Sequence, residues 1–524
     1  MVSQTCLPLK FETEENSTGL TAWAGLPVLL ELMATVGLPA DIAEKVGLRG
    51  EQGWSDIQQV TAFLLVKWAG GECVDDLEQL EADDGLSAIV ERLEAHRLRE
   101  EDEQAIADRF RRGGERTFPS PSAAREYLEA FEPEEPTTKA AGEKGAEVPE
   151  PTDALEGLGE LVARPVQYGE LRPQGETTAT LDLDATIAET ANRSAKFCYE
   201  GSRAYQPLNV FWFQRNQVLF SEFRDGNCPA AWRVDEVFEE SLAYLPDEID
   251  KLEVRSDTAG YQGEFLKAMA EGEYGDEEMG PVEFAVGVDI TSSFKQSCLE
   301  VDEADWHALE QTDPQGGPRQ AQKEYAEVPF VPNWLGHTRR DLGIRFLAIR
   351  EPLAQKSLPS VDRESNQQEL PFPTMEFEAD GYKIVGVVTN CACDNFDAIE
   401  WYYQRCGLSE QAHGEWKVDL GGAPFPSADD FQANAAWWQL TLLAYNLEVL
   451  LQRDFWRSKT GPLRRMKRLR FELICVPGRV VTHARQMTVK VPEDHPALSR
   501  IRELRDLMGM FQRGPPTPWL KPAA

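Results

Sequence analysis

The sequence predicts a mixed α/β protein: a core in which strands alternate with helices, interrupted by a β-rich insertion and flanked by a helical N-terminal domain and a basic helical C-terminal region. Three observations predict this. Apolar residues recur at three- and four-residue spacing from Gly19 to about Phe131, the period changes to two after residue 153, and a long, broadly apolar helical pattern follows the last strand-like segment. A chain of 524 residues also exceeds what one hydrophobic core organises, so two to four domains are expected.

The elements follow in order. In residues 1–131, LPVLLELMATVGLPADIAEKVGL and DIQQVTAFLLVKWAGG carry helical periodicity, and FPSPSAAREYLEAF sets Ser and Pro ahead of a capped helix from Ala123 to Phe131. Residues 132–153, EPEEPTTKAAGEKGAEVPEPTD, have no apolar period and read as a flexible linker. The first part of the core, 172–279, begins with TTATLDLDATIAET, which alternates like a strand. It continues with LNVFWFQRNQVLFSEF, two strands turning at Arg215 to Gln217. A helix from Val234 to Leu245, the short strand DKLEVRSDT and the helix GYQGEFLKAMAEG complete it. From 280 to 379, EFAVGVDI, AEVPFVP and RFLAIREPL alternate with polar loops, the expected β-rich insertion. The core resumes over 380–450 with the buried strand KIVGVVTN, a helical region from DAIEWYYQRC, and the long helix NAAWWQLTLLAYNLEVLLQRDFW. Residues 451–524 form the basic C-terminal region.

Charge is unevenly spread. The formal net charge is -37, yet Leu451 to Lys490 holds eleven Lys or Arg against two acidic residues, a local excess of nine. Any contact with polyanions must therefore be local. A salt-rich host cytoplasm would explain the acidity, because charge repulsion is screened there. No run of about 20 apolar residues suits a membrane span, and the start MVSQTCLPLKFETEEN lacks the pattern of a signal peptide. A soluble, cytoplasmic protein with no membrane partner is expected. Its nine scattered cysteines are expected to be reduced.

Carboxylates carry the candidate chemistry. LDLDAT puts Asp182 and Asp184 on one face of a strand, since side chains two apart point the same way. A buried pair of like charges needs a cation or hydrogen bonds to compensate it. VRSDTAGY offers Asp257 where a strand ends, the place where α/β sheets present functional groups. In LSEQAHGEWKVDL, Glu410 and Lys417 are seven apart and would share a helix face.

Several blocks in order, LDLDAT, AYQPLN with SEFRDGN, VRSDTAGY, EVPFVPNWLG, YYQRCGLSEQAHGEWKVDL and NAAWWQLTLLAYNLEVL, together with GGECVDDLEQLEADDG, resemble the DDE insertion-sequence transposases, most closely family thirteen-eighty. The resemblance implies an RNase H-like mixed-sheet core in which Asp184, Asp257 and Glu410 hold two Mg²⁺ ions, with Mn²⁺ as substitute, Asp184 bridging both. It implies cut-and-paste DNA transposition: hydrolysis at the transposon ends, then strand transfer by the freed 3′-hydroxyl, with a hairpin intermediate at the excised ends. The implied partners are double-stranded DNA, as terminal inverted repeats and as target, and a second copy of the chain in a homodimer. The N-terminal domain would bind DNA ends or dimerise. Tyr402, Arg405 and Lys417 would contact DNA from the Tyr-Arg-Glu-Lys signature, although four residues, not three, separate Arg405 from Glu410. Arg464, Arg465, Lys467, Arg468 and Arg470 add a basic run suited to phosphates.

Plainer readings compete. Asp182 is expected to be a structural neighbour, Asp289 a solvated strand or loop carboxylate, and Asp394 and Asp397 helix caps. Cys391, Cys393, Cys406 and His413 lack the spacing of a common zinc site, and Trp437 and Trp438 fit core packing before base stacking. Two functional alternatives remain: an RNase H-like nuclease that never joins strands, and a domesticated DNA-binding protein.

Overall fold

The computed structural model describes residues 16–49, 53–101, 116–135, 137–141, 146–168, 177–274, 280–309, 323–336, 341–352, 378–379, 381–456, 463–483 and 486–511. The chain divides into two compact units. One comprises Met1–Pro136, Pro151–Glu170 and Glu415–Ala524, the other Thr137–Glu150 and Leu171–Gly414. Among the described residues no single helix is long and apolar enough to cross a membrane.

The sheet unit contains β1 (Thr178–Ala185), β2 (Leu208–Trp212), β3 (Gln217–Glu222), β4 (Lys251–Ser256), β5 (Glu283–Val288), β6 (Glu324–Val328), β7 (Arg345–Pro352) and β8 (Tyr382–Thr389). They lie in one sheet in the order β6-β7-β8-β5-β4-β1-β2-β3. β1, β4 and β5 run parallel, and every other neighbouring pair among these eight is antiparallel. The series β3-β2-β1-β4-β5, three antiparallel strands followed by two parallel ones, is an RNase H-like sheet. β1 is its middle strand, and Ala179 to Leu183 are buried without alternation, as expected where both faces are covered.

The helix Asn395–Gly414 packs Ala398, Ile399 and Tyr402 against Ala285, Leu347, Ile349 and Val387 of the sheet. Its start is fixed as the sequence predicts: the Asp397 amide donates to Asp394 Oδ1 at 2.9 Å.

Two expected boundaries are corrected. The segment 280–379 opens with β5, the fifth strand of the core, and β6 and β7 widen the same sheet through β8, so the expected insertion is an extension of the core sheet. Period-two patterning shows that a strand forms, not which edge it joins. The expected linker 132–153 contains the hairpin Thr138–Ala141 with Ala146–Pro149, whose Ala146 and Val148 are buried with Cys228. Polar composition concealed it because only one short strand face is covered.

The helical unit is centred on Phe431–Leu450, which is buried along nearly its whole length. A helix apolar on all sides belongs at a centre. It was expected in the α/β core, but its neighbours are the helices Asp56–Ala69, Pro121–Glu129 and Asp153–Gln167. The N-terminal helices and the segment from 415 onward thus form one unit where separate domains were expected. Two of its buried polar side chains meet backbone carbonyls: Asn446 donates to Val162 O at 2.7 Å, and Trp437 Nε1 to Gly421 O at 2.8 Å, which makes Trp437 a core residue. Ser55 forms a capping box with Gln58, and Ser120 accepts from the Ala123 amide at the predicted helix start.

Glu415 and Glu448 are buried together in this unit. Burial raises both carboxyls; Asp419 adds to it at Glu415, and the Glu415 charge adds to it at Glu448. Glu415 is pushed up to about 7, although the Met466 amide donates to it. The folded chain therefore keeps protons that unfolded glutamates lose near pH 4.5. This contribution favours folding at or below that pH and is lost as pH rises through about 7. Urea unfolding at pH 5 and pH 8 is expected to show a smaller pH 8 penalty for Glu448→Gln than for wild type; equal penalties would refute the buried acid pair.

Candidate active site

Asp182 and Asp184 leave β1 on the same face, but their surroundings separate them. Asp182 stands opposite Arg255 of β4 in register. The guanidinium grips it with two hydrogen bonds, Nε to Oδ1 at 2.7 Å and Nη2 to Oδ2 at 3.0 Å. Both side chains are essentially inaccessible. Burial pushes the Asp182 carboxyl up and Arg255 draws it back. Asp182 is structural, as expected, and the cation that compensates it is an arginine of the chain.

Asp184 sits one strand step further, opposite Asn209 of β2. Its carboxyl is pushed up to about 7, first by burial, then by the Asp257 charge; Asp182 and Glu410 add, and Arg405 opposes. Asp257 follows the end of β4 and accepts from the Ala259 amide at 2.9 Å, which fixes its rotamer. Glu410 is exposed on the helix Asn395–Gly414. The structure thus brings the three predicted carboxylates into one electrostatic neighbourhood. Among the described residues, however, no three carboxylate, histidine or cysteine side chains stand close enough to enclose an ion.

Two further groups lie near these carboxylates. Asp289, just beyond β5, has its carboxyl raised by burial and then by Asp257. Asp289 is exposed, as expected of a solvated carboxylate; what GVDIT does not show is that β5 lies beside β4. His413 Nδ1 lies 3.7 Å from Asp184 Oδ2. The signal for it was helical spacing: His413 is three residues beyond Glu410 and shares its face. Cys391 and Cys393, expected as reduced thiols, are joined in a disulfide.

The signature residues fare differently. Tyr402 is 6% exposed and belongs to the core beneath the helix, its hydroxyl near Gly287, so its assignment to DNA contact is corrected. Arg405 faces the carboxylates: burial lowers its pKa, but Tyr402, Asp184 and Asp257 outweigh that and raise it. Lys417 lies in the π-helical turn Glu415–Asp419, beyond the end of the α-helix, so the seven-residue spacing no longer counts turns of one helix.

In the basic run, Arg470 is also corrected. Its guanidinium donates to Trp68 O at 3.0 Å, Lys67 O at 2.6 Å and Asp419 O, which seals the C-terminus of the helix Asp56–Ala69. Arg464 and Arg468 pair with Glu472, and Arg465 pairs with Asp419. Arg465, Lys467 and Arg468 are exposed.

The donor set fits hard divalent cations, which prefer carboxylate oxygens. Asp182 has its arginine, whereas the charge on Asp184 adds to those of Asp257 and Glu410, the electrostatics a bound cation relieves.

The RNase H-like sheet carries carboxylates on its middle strand, after its fourth strand and on a covering helix. Residues 373–511, which include Glu410 but neither aspartate, match the family model described as Transposase DDE domain group 1. No curated protein matches. Among solved structures, a piggyBac transposase synaptic complex with hairpin DNA aligns with a TM-score of 0.40 and 9% identity, over 93% of this chain and 81% of that one. That likeness is too remote to argue from.

An uncompensated Asp184 carboxylate opposes folding above about pH 7. At pH 8, Mg²⁺ or Mn²⁺ is expected to raise the Tm of wild type, by the equivalent of about 2.7 kcal/mol at one hundred times Kd. Asp184→Asn is expected to be more stable than wild type without metal and to lose that response. An equal metal response in both proteins would place the ion elsewhere. Arg255→Ala, which strands Asp182, is expected to cost about 3–5 kcal/mol by denaturant unfolding.

Proposed function

We propose that the chain is a cut-and-paste DNA transposase whose centre is Asp184, Asp257 and Glu410. The observation that supports this most is the Asp184 carboxyl on the middle strand, only partly compensated by Arg405 and under the charges of Asp257 and of Glu410 from within the matched segment. Two divalent ions, Mg²⁺ or Mn²⁺, held by these carboxylates would supply Lewis acidity to the attacking and leaving oxygens of in-line displacement at phosphorus.

The chain's own residues do the positioning. β1 and β4 hold Asp184 and Asp257 on adjacent parallel strands, and the Asp182–Arg255 pair locks those strands in register. The acidic centre would orient water for the first cut, which breaks the P–O3′ bond to leave a free 3′-hydroxyl; that hydroxyl then attacks target DNA and displaces a second 3′-oxygen. Arg405 presents a planar guanidinium beside the acids, suited to a phosphate once cations compensate the carboxylates. Lys417, Arg464, Arg465, Lys467 and Arg468 are proposed to meet flanking DNA. Two ends cut in coordination call for a homodimer on DNA in the cytoplasm.

The test is cleavage and joining of DNA carrying the inverted repeats that flank the gene, with Mg²⁺, at several salt concentrations. Asp184→Ala, Asp257→Ala and Glu410→Ala are each expected to lose cleavage by about three orders of magnitude, the rate equivalent of several kcal/mol of metal stabilisation. End binding should persist, because contacts elsewhere supply affinity. Cleavage without joining would identify a nuclease, and binding without cleavage a domesticated DNA-binding protein.

A further inference from the structure

Two residues after Asp184 the chain leaves the sheet and makes a hairpin before returning as β2. Its base is Ala188–Glu189 paired with Ala204–Tyr205, and the Thr186 amide donates to Pro207 O at 2.9 Å. The tip is ordered by its own backbone. Phe197 bridges to Arg203, the Cys198 amide donates to Ser202 O at 2.9 Å, and the Gly201 amide donates to Cys198 O at 3.0 Å, with Gly201 at φ +85. The Lys196 amide donates to Asp225 Oδ1 at 2.7 Å, which pins the hairpin to the sheet unit.

This scaffold presents two aromatic rings to solvent. Phe197 is 57% exposed and Tyr199 80%. They are two residues apart, Phe197 at the bridge to Arg203 and Tyr199 in the turn that the Gly201 amide closes on Cys198 O. The Arg203 guanidinium covers one side of Phe197 at 4.6 Å from the ring centre. Tyr199 belongs to the acidic centre's surroundings: after burial and Glu200, the charges of Asp257 and Asp184 act on its phenol. A single exposed ring is ordinary, but here charge accompanies the pair. Thr190 to Arg203 holds Arg193, Lys196 and Arg203 against one acid, Glu200, in a chain of net charge -37, and Arg193 and Lys196 are exposed.

We propose that this hairpin is a base-stacking finger: Phe197 and Tyr199 receive unpaired bases of the DNA strand entering the acidic centre, while Arg193 and Lys196 meet its phosphates. Rings and cations alternating beside a site that cuts phosphodiesters match the chemistry of single strands, whose bases offer π faces and whose backbone offers charge. The inference rests on the transposase reading and adds to it the feature recognised, unpaired nucleotides next to the scissile phosphate.

The test uses a DNA duplex ending in a short single-stranded overhang that contains 2-aminopurine, alongside a blunt duplex, both in EDTA so that no cleavage follows. Wild type is expected to prefer the overhang and to quench its fluorescence. Phe197→Ala and Tyr199→Ala should each weaken overhang binding about ten-fold and relieve the quench, with little change for the blunt duplex. Tyr199→Trp should retain both properties, which separates stacking from misfolding. Quenching and preference that survive the double alanine variant would overturn the finger while leaving the transposase reading intact. Failure of wild type to bind either DNA would overturn both.

Discussion

The sheet unit depends on one buried ion pair. Asp182 and Arg255 meet across the two middle parallel strands, and the same guanidinium donates to Trp401 O at 2.9 Å on the helix Asn395–Gly414. It also lies 4.3 Å from the centre of the Phe213 ring. One side chain thus fixes the register of β1 on β4 and ties the helix that bears Glu410 to both. Such a pair adds little net stability over an apolar substitute of similar volume, but removing one partner leaves a buried charge unmet. What it secures is position: Asp184 and Asp257 lie just past it on the two strands it clamps.

That arrangement explains why neighbouring aspartates on one strand face have opposite fates. Asp182 is neutralised inside the protein and has no charge left to offer. Asp184, two residues on, has its charge opposed mainly by Arg405, against burial and the charges of Asp257 and Glu410. The strain is electrostatic and local, and it is tolerated because the surrounding sheet is over-determined by apolar packing and strand pairing.

Much of this was legible in the sequence. Strand and helix periods located eight of the ten strands of the main sheet, missing only the two-residue strands His307–Ala308 and Glu378–Ala379, and the capping residues Asp394 and Ser120 marked their helices. The carboxylate motifs were legible as well, because two-residue spacing on a strand fixes facing. Pairing was not. LDLDAT cannot show that its first aspartate meets Arg255, seventy-three residues away, and GVDIT cannot show that Asp289 ends a strand beside Asp257. Helix spacing also misled once: the stretch from Tyr402 to Lys417 reads as one helix, but a π-helical turn begins at Glu415, and the two compact units divide between Gly414 and Glu415. A buried carboxyl pair, Glu415 with Glu448, accompanies that change of helix type. No local pattern announces it, since Glu448 lies in an otherwise apolar run.

The charge of -37 becomes easier to reconcile with DNA once the arginines are followed to their partners. Arg255, Arg350 and Arg233 are spent on carboxylates, Arg345 on the carbonyls of Cys391 and Cys393, and Arg470 on helix-end carbonyls. A count of basic residues therefore overstates the cations that phosphates can meet. Among the described residues of the sites discussed, the exposed cations are Arg193 and Lys196 on the hairpin, and Arg465, Lys467 and Arg468 on the other unit, of which Arg465 and Arg468 already pair with Asp419 and Glu472. If these described cations are the ones that meet DNA, few phosphates would be neutralised, and counterion release would contribute less than it does for a broadly basic protein. Affinity for a DNA end would then have to come from contacts insensitive to salt, and stacking on aromatic rings is one such contact. On the proposed reading, an acidic chain with aromatics beside its acidic centre is consistent in this respect: diffuse attraction to any duplex would be weak, and recognition would be concentrated where a strand enters the centre.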